Sequence, residues 1–555
     1  MRININSDPE ESVSWTKAGS EIYETAKEIT RPALFQGFSY TFLFGVLSTQ
    51  IILNRLESDN NETGNLGAST LTATLLNILG TFVMALLFGV SIYTAGKRGE
   101  LEQLQQQPFN SKRAKKIERL KVKIATTPFI GAGMGSLTWP LTIPISACSE
   151  PLLIAMGQDP ENAALTAAYL KSAIAVYFPL SLRINFEQVM FGFNHQFWPM
   201  VISWVTYTLG LLSSIAFGFG HYSFPKLGFA GVAIGPAIDS ILTAIAYFFY
   251  LVYHKDFKDF GFFRRFPSCR QGCKQFIELL RIGGPILFTV INEIGSQLTI
   301  PLLAGLLGSK ELAAQNYGSL FIFFGLIFLY CFGQKTSQMV SSAIGEKSYR
   351  KAYNYAWGGL LASIIVLLIP YIIVCAQPKI LTHGIVDSQA VSGDVIRLGS
   401  QIIPIQGAYL IFNNICYNMA QVLRSTGDHF FVTTATTTTL WFGVLFGYLG
   451  GFTAGLGLPG LNGGNALGLL VTGVIPIFLR WYKQLQPNAL ASKFATLTPN
   501  TSKKNESLFS SLSNCCLTLL KRQKETKNPD INDPLLKATT SRSESTPNSG
   551  LELGS

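Results

Sequence analysis

From His429 to Leu479 the chain runs through 51 residues without an Asp, Glu, Lys or Arg. A helix needs about 20 apolar residues to cross a bilayer, so this one stretch is long enough for two crossings. It is not alone. Pro32–Asn54 is charge-free over 23 residues, Thr63–Gly96 over 34 and Gln188–Pro225 over 38. Only 14% of the 555 residues are charged, against about 25% in an ordinary soluble domain. The fold class that follows is an all-α integral membrane protein. Twelve spans are predicted, near 32–54, 67–95, 124–148, 163–187, 194–218, 228–253, 282–307, 313–340, 352–376, 396–421, 430–453 and 463–482. The Gly/Pro cluster Gly455–Gly464 is read as the turn between the last two.

The net charge of +11 points to topology rather than to nucleic acid, because the basic residues gather in alternate connections. Lys97–Lys123 holds nine basic and three acidic residues, and Lys255–Arg281 seven and three. Arg55–Glu62 holds one and three, and Glu150–Glu161 has no basic residue. The positive-inside rule then places both termini in the cytoplasm, with the cell (inner) membrane as the expected location. The first 31 residues are polar and partly acidic, so no cleavable leader is expected and the first span should serve as the insertion signal.

The chain repeats itself. Leu66-Gly-Ala-Ser-Thr-Leu-Thr-Ala73 matches Leu307-Gly-Ser-Lys-Glu-Leu-Ala-Ala314 as L-G-x-x-x-L-x-A, at an offset of 241 residues. Gln188-Val-Met stands seven residues before His195, as Gln421-Val-Leu stands seven before Asp428, at an offset of 233. The first half therefore carries about eight extra residues, assigned to its long basic loop. Six spans per repeat make the halves parallel in topology, with a cleft between two lobes. The expected organisation is an N-terminal cytoplasmic tail (1–31), an N-lobe (32–254), a basic linker (255–281), a C-lobe (282–482) and a disordered cytoplasmic tail (483–555). Within that tail, 508–522 has the pattern of a surface helix with an acylation candidate at Cys515-Cys516.

A charge inside a span is costly and defaults to a functional reading. Glu293 lies near the middle of span seven, with no other charge between Arg281 and Lys310. A carboxyl group there can exchange a proton or, when ionised, ligate Na⁺. Asp239 in span six is the second cation-coupling candidate. Arg183 and Glu187 share a face of span four and read as a self-neutralising pair. Lys171 and Lys335 read as snorkelling side chains. Span ten is rich in amides, among them Gln406, Asn413 and Asn414, which can bond helix to helix or line an aqueous cavity. No phosphate-binding loop is present and the five histidines form no catalytic set, so neither an enzyme nor a cofactor is expected. Cys269-x3-Cys273 lacks a second ligand pair and makes a weak zinc candidate.

In order and spacing these motifs resemble the multidrug and toxin extrusion (MATE) family. The repeated L-G-x-x-x-L-x-A is similar to that family's, as are Met156-Gly-Gln-Asp-Pro-Glu-Asn162 and the following Ala168-Tyr169-Leu170. Ala343-Ile-Gly-Glu-Lys347 and Gln421-Val-Leu-Arg-Ser-Thr-Gly-Asp428 resemble its corners after spans eight and ten. The resemblance covers roughly residues 32–482 and implies two six-helix lobes in a V. It also implies a monomeric antiporter that exports small organic, often cationic, substrates in exchange for H⁺ or Na⁺. A Glu eight residues after the span-seven Pro couples the ion in that family, and Pro285 and Glu293 have this spacing. Gln315 falls near a polar position of the family. Two family aspartates are absent: the span-one region reads Ser48-Thr49-Gln50, and Asn413 stands at the span-ten position, so that Gln50 and Asn413 are carried as cavity or ligand candidates. The competing readings are a lipid-linked oligosaccharide flippase of the same superfamily, an integral-membrane lipid enzyme and a transport-inactive scaffold.

Overall fold

A computed structural model describes residues 15–56, 64–108, 110–221, 224–376 and 393–496. The 508–522 patch with Cys515-Cys516 lies outside the described residues, as does most of the expected C-terminal tail. All regular structure among the described residues is helical.

Twelve helical passes form the body. The first, α1, is broken into Trp15–Ser39 and Thr41–Asn54. It is followed by α2 (Gly64–Gln105), α3 (Ser111–Gly135, running on into Trp139–Ala147), α4 (Pro160–Gly192), α5 (Phe197–Phe219) and α6 (Gly228–Val232 with Ile234–Tyr253). The second half holds α7 (Cys269–Leu307), α8 (Ser309–Gly345), α9 (Tyr349–Ala376), α10 (Gly393–Ser425), α11 (His429–Tyr448) and α12 (Gly457–Leu469 with Ile475–Leu485). A short terminal helix, α13, spans Pro487–Thr496. Nine of the described helices are long and apolar enough to cross a membrane, which makes the protein a multi-pass membrane protein.

The helix boundaries follow from local chemistry. Pro160 takes the first helical position of α4, while the Asp159 carboxylate accepts the Asn162 N–H at 3.2 Å. The Asn110 side chain caps α3 by accepting from Lys112 N at 3.1 Å. Gly220, with φ 75°, closes α5 in the left-handed conformation that glycine adopts freely.

Four expectations need revision. The segment read as an N-terminal tail is helical from Trp15, and Ala26 and Ile29 are buried, because α1 packs on α9. The two basic loops are mostly helix: α2 continues to Gln105 and α7 starts at Cys269. The α2–α3 connection is 106–110, against 346–348 in the second half, so most of the extra length lies between the starts of α3 and α4. The cluster read as a turn is one only at its start, Gly455–Leu456, where Gly455 has φ 67°; α12 begins at Gly457 and takes in the rest. Its glycines serve packing: a Cβ on Gly468 would meet Gly443 Cα at 2.7 Å, Gly464 abuts the α11 backbone at Phe446, and Gly460 abuts Gly450 just beyond α11. This is the small-xxx-small packing of membrane helices, used here to bring two backbones together.

The two halves superimpose in frame. α4 ends at Gly192 and α10 at Ser425, the same 233-residue offset as the Gln188/Gln421 motif pair. The lobes meet at the end of the bundle that carries the basic connections. There α2 packs against α7 and α8, with no room for a Cβ on Gly99 beside Ser342, and Gly89 would meet Gly283 N at 2.8 Å. Ser341 donates to Ile92 O at 3.0 Å, and Lys123 pairs with Glu278 at 3.2 Å. Nearer the middle, Gln36 Nε2 and the Tyr40 hydroxyl donate to Gln334 Oε1 at 2.9 and 2.6 Å. Beyond that lock, toward the opposite end, a cavity of about 350 Å³ lies between the lobes.

Candidate functional site

The cavity is walled by α2 of the first lobe (Thr74, Asn77, Ile78) and by α7, α8, α10 and α12 of the second. Its polar side chains are uncharged. Asn462 of α12 is the hub: its Nδ2 donates to Gln315 Oε1 at 2.8 Å, and its Oδ1 accepts from Gln406 Nε2 at 3.1 Å. Three helices are thus joined by amides that also face the cavity. Gln406 Oε1, buried against Gly318, has no hydrogen-bond partner among the described residues. Gln297 and Ser296 of α7 complete this face beside Tyr409.

Glu293 stands one helical turn from Gln297, behind the cavity wall rather than in it, and is 4% exposed. Gln297 Nε2 donates to Glu293 Oε1 at 3.5 Å, which links the carboxylate to the cavity. The Tyr330 hydroxyl of α8 and the Asn413 amide of α10 face it from the other sides. A buried cation, Arg424, lies a further turn toward the basic end, yet its Nη2 donates to Thr289 Oγ1 at 2.8 Å instead of closing on Glu293. Among the described residues Glu293 therefore has polar neighbours but no direct ion pair. Carboxylate, phenol and amide oxygens around one point are the donor set that a proton or a hard cation uses.

The N-lobe differs. Asp239, unlike Glu293, has a direct ion-pair partner: Arg183 Nη1 donates to its Oδ2 at 2.5 Å with both side chains buried. Thr243 donates to Oδ1 at 3.2 Å, and Arg183 Nη2 reaches Thr41. This corrects the expected Arg183–Glu187 pair: the guanidinium crosses to α6, and Glu187 Oε1 is left without a hydrogen bond. A small cavity of about 50 Å³ within this lobe is lined by Asp239 together with Ser48, Thr49 and Tyr207. Lys335 is not a snorkelling side chain either; it is 1% exposed and donates to Asn194 across the lobes. Lys171 pairs with Glu150 at 3.0 Å on the surface.

Of the amide candidates, Gln315, Gln406 and Asn413 gather around the cavity and Glu293. Asn414 points the other way and donates to Ser363 of α9 at 3.0 Å. Gln50 donates to Thr70 at 3.4 Å and lines neither cavity. Asn462 carries no signal in the sequence, because the glycines on either side of it have the pattern of a turn. Gln297, Tyr330 and Arg424 were within reach of it: each is a polar group inside or at the end of an apolar run.

The MatE family profile matches residues 285–449, which hold Glu293, Gln315, Gln406 and Asn413. A probable multidrug resistance protein NorM of Rhizobium meliloti (strain 1021) is 23% identical over 453 residues, 81% of this chain and 92% of the relative. A second, from Agrobacterium fabrum (strain C58 / ATCC 33970), is 23% identical over 80% and 93% of the two chains. Among solved structures, the eukaryotic MATE transporter AtDTX14 aligns with TM-score 0.66 and 15% identity, over 86% of this chain and 100% of that one. An outward-facing multidrug resistance MATE family transporter aligns with TM-score 0.70 and 16% identity, over 86% and 99%. At these identities the structural likeness shows the two-lobed fold.

Proposed function

We propose that this chain, which belongs to the MATE family of transporters, is a secondary active multidrug exporter that exchanges inward-moving H⁺ or Na⁺ for an outward-moving organic compound. The observation that carries the reading is Glu293: a buried carboxylate without an ion-pair partner, joined through Gln297 to the wall of an interlobal cavity. With the basic end in the cytoplasm, the lobes are closed on the cytoplasmic side and the cavity belongs to an outward-facing state.

The cavity volume, about 350 Å³, falls in the range of small-molecule sites, about 300–1,000 Å³. Aliphatic side chains and amides line it, which suits amphipathic substrates of varied shape. The charge of Glu293 is neutralised by a bound proton or compensated by a bound Na⁺, and is uncovered when the ion leaves. Its neighbours Gln297, Asn413 and Tyr330 then have to exchange hydrogen bonds. Ion and substrate bias the two lobe arrangements only as far as each binds them differently. Rocking of the lobes about the Gln36–Tyr40–Gln334 lock alternates access. Asp239, held by Arg183, keeps the N-lobe together, and coupling rests on Glu293.

The test is efflux of a fluorescent organic cation from proteoliposomes under an imposed H⁺ or Na⁺ gradient. Wild type should show gradient-driven transport with one of the two ions. Glu293→Gln should lose the gradient dependence while keeping its fold. Unchanged ion-driven transport in Glu293→Gln would refute the coupling assignment, and wild type inert under both gradients would refute the antiporter.

A further inference from the structure

At the basic end of the N-lobe, three side chains outside the transport site converge. His195 sits in the corner between α4 and α5; His254 and Asp256 sit just after α6. In the sequence repeat His195 stands where the second half has Asp428. There Asp428 Oδ2 accepts from Arg480 Nε at 2.9 Å and Gln484 Nε2 at 2.6 Å, tying the α10–α11 corner to α12. The first half makes the equivalent tie with the charge roles exchanged: His195 Nε2 lies 3.2 Å from Asp256 Oδ2. That tie needs one imidazole. The structure supplies two, with His254 Nδ1 at 3.7 Å from the same carboxylate oxygen.

We propose that His195, His254 and Asp256 form a binding site for a divalent transition-metal ion of the zinc class. One donor atom from each residue lies within 4.8 Å of the other two. A tetrahedral ion with bonds of 2.0–2.1 Å holds its ligands about 3.3 Å apart, close to the 3.2 and 3.7 Å already present. Two imidazoles and one carboxylate suit a borderline-soft ion and leave a fourth position for water. Asp256 is half exposed, so water reaches the cluster.

The surroundings hold the imidazoles in place for this. The Tyr250 hydroxyl lies 3.0 Å from His195 Nδ1, which anchors one ring nitrogen and aims the other at the cluster. The Tyr250 ring also stacks on His254, with centroids 4.7 Å apart. Buried Phe257 packs against both imidazoles. His254 Nδ1 accepts the Asp256 N–H at 3.4 Å, a long bond that a metal would replace. The bound ion would clamp the end of α6 to the α4–α5 corner, beside Asn194, which receives the interlobal bond from Lys335.

The experiment uses the full chain, purified without a polyhistidine tag. Zn²⁺ is titrated calorimetrically, and Co²⁺ is added as a spectroscopic probe of coordination number and donor type. Wild type should bind one ion per chain and give a four-coordinate Co²⁺ spectrum free of thiolate bands. His254→Gln, Asp256→Asn and His195→Gln should each weaken binding by about tenfold or more, and Tyr250→Phe by about tenfold. His221→Gln, the control, should bind as wild type. Zn²⁺ should raise the Tm of wild type and not that of His254→Gln, whose metal-free Tm serves as the folding check. Should His195→Gln fail to fold, the two variants after α6 decide the matter. No saturable binding, thiolate bands, or equal affinity in His254→Gln and Asp256→Asn would overturn the site.

Discussion

The two lobes share a frame and not a charge pattern. α4 and α10 end at one offset, that of the Gln188/Gln421 pair, yet Arg183 in α4 corresponds to Cys416 in α10, and Arg424 in α10 to Phe191 in α4. In the N-lobe the cation closes directly on a carboxylate, Asp239. In the C-lobe the Thr289 hydroxyl takes a guanidinium N–H, and Glu293 keeps only uncharged hydrogen-bonding neighbours. A neutralised pair resists a change in charge; a carboxylate without a paired cation can accept one. Duplication of a fold thus leaves each half free to spend its buried charges on stability or on coupling.

The sharpest way to break this comparison is to remove the N-lobe cation. Arg183→Met leaves Asp239 buried and unpaired, which should cost about 3–5 kcal/mol and lower the detergent-solubilised Tm strongly. Arg183→Met combined with Asp239→Asn should recover most of the loss, because no uncompensated charge remains. Glu293→Gln should move Tm far less while abolishing ion dependence. If Glu293→Gln were the unstable variant and Arg183→Met the stable one, the roles assigned to the lobes would be reversed.

A smaller effect tests the C-lobe cation. Thr289→Val removes the acceptor of the Arg424 bond, and hydrogen bonds to charged groups contribute about 1.5–3 kcal/mol. Arg424 is then free to turn toward Glu293, so the C-lobe would come to resemble the N-lobe. The expected outcome is a lower Tm together with efflux that needs a steeper ion gradient. Loss of stability with an unaltered gradient dependence would show that Arg424 does not reach Glu293.

The shared frame was legible in the sequence because it rests on composition: charge-free runs, basic connections and two motif pairs at nearly constant offset. Glu293 was legible for the same reason, as a charge where charge is costly. Pairing across helices was not. Nothing in the spacing of Arg183 distinguishes Glu187, one turn away on its own helix, from Asp239 on α6; only tertiary packing selects the latter. The glycines of 457–464 misled because glycine marks turns in water but close helix contact in lipid. That misreading hid Asn462, the hub of the cavity wall.

The amides of α10 supply the finest discrimination, since neighbouring residues there face different tasks. Asn413 faces Glu293, whereas Asn414 and Asn418 both donate to Ser363 of α9, at 3.0 and 3.5 Å. Ser363→Ala removes that acceptor at a position remote from Glu293 and the cavity, so it should cost about 1 kcal/mol and leave the ion dependence of efflux unchanged. Asn413→Leu removes a polar neighbour of Glu293, the proposed coupling carboxylate, and should shift the ion concentration for half-maximal transport by several-fold, at a similar cost in Tm. Equal stability losses with unequal transport effects would separate helix-bonding amides from site amides within one helix. If Ser363→Ala altered ion dependence as strongly as Asn413→Leu, the α9–α10 contact would belong to the coupling machinery, and the C-lobe site would extend one helix further than Glu293 and its neighbours.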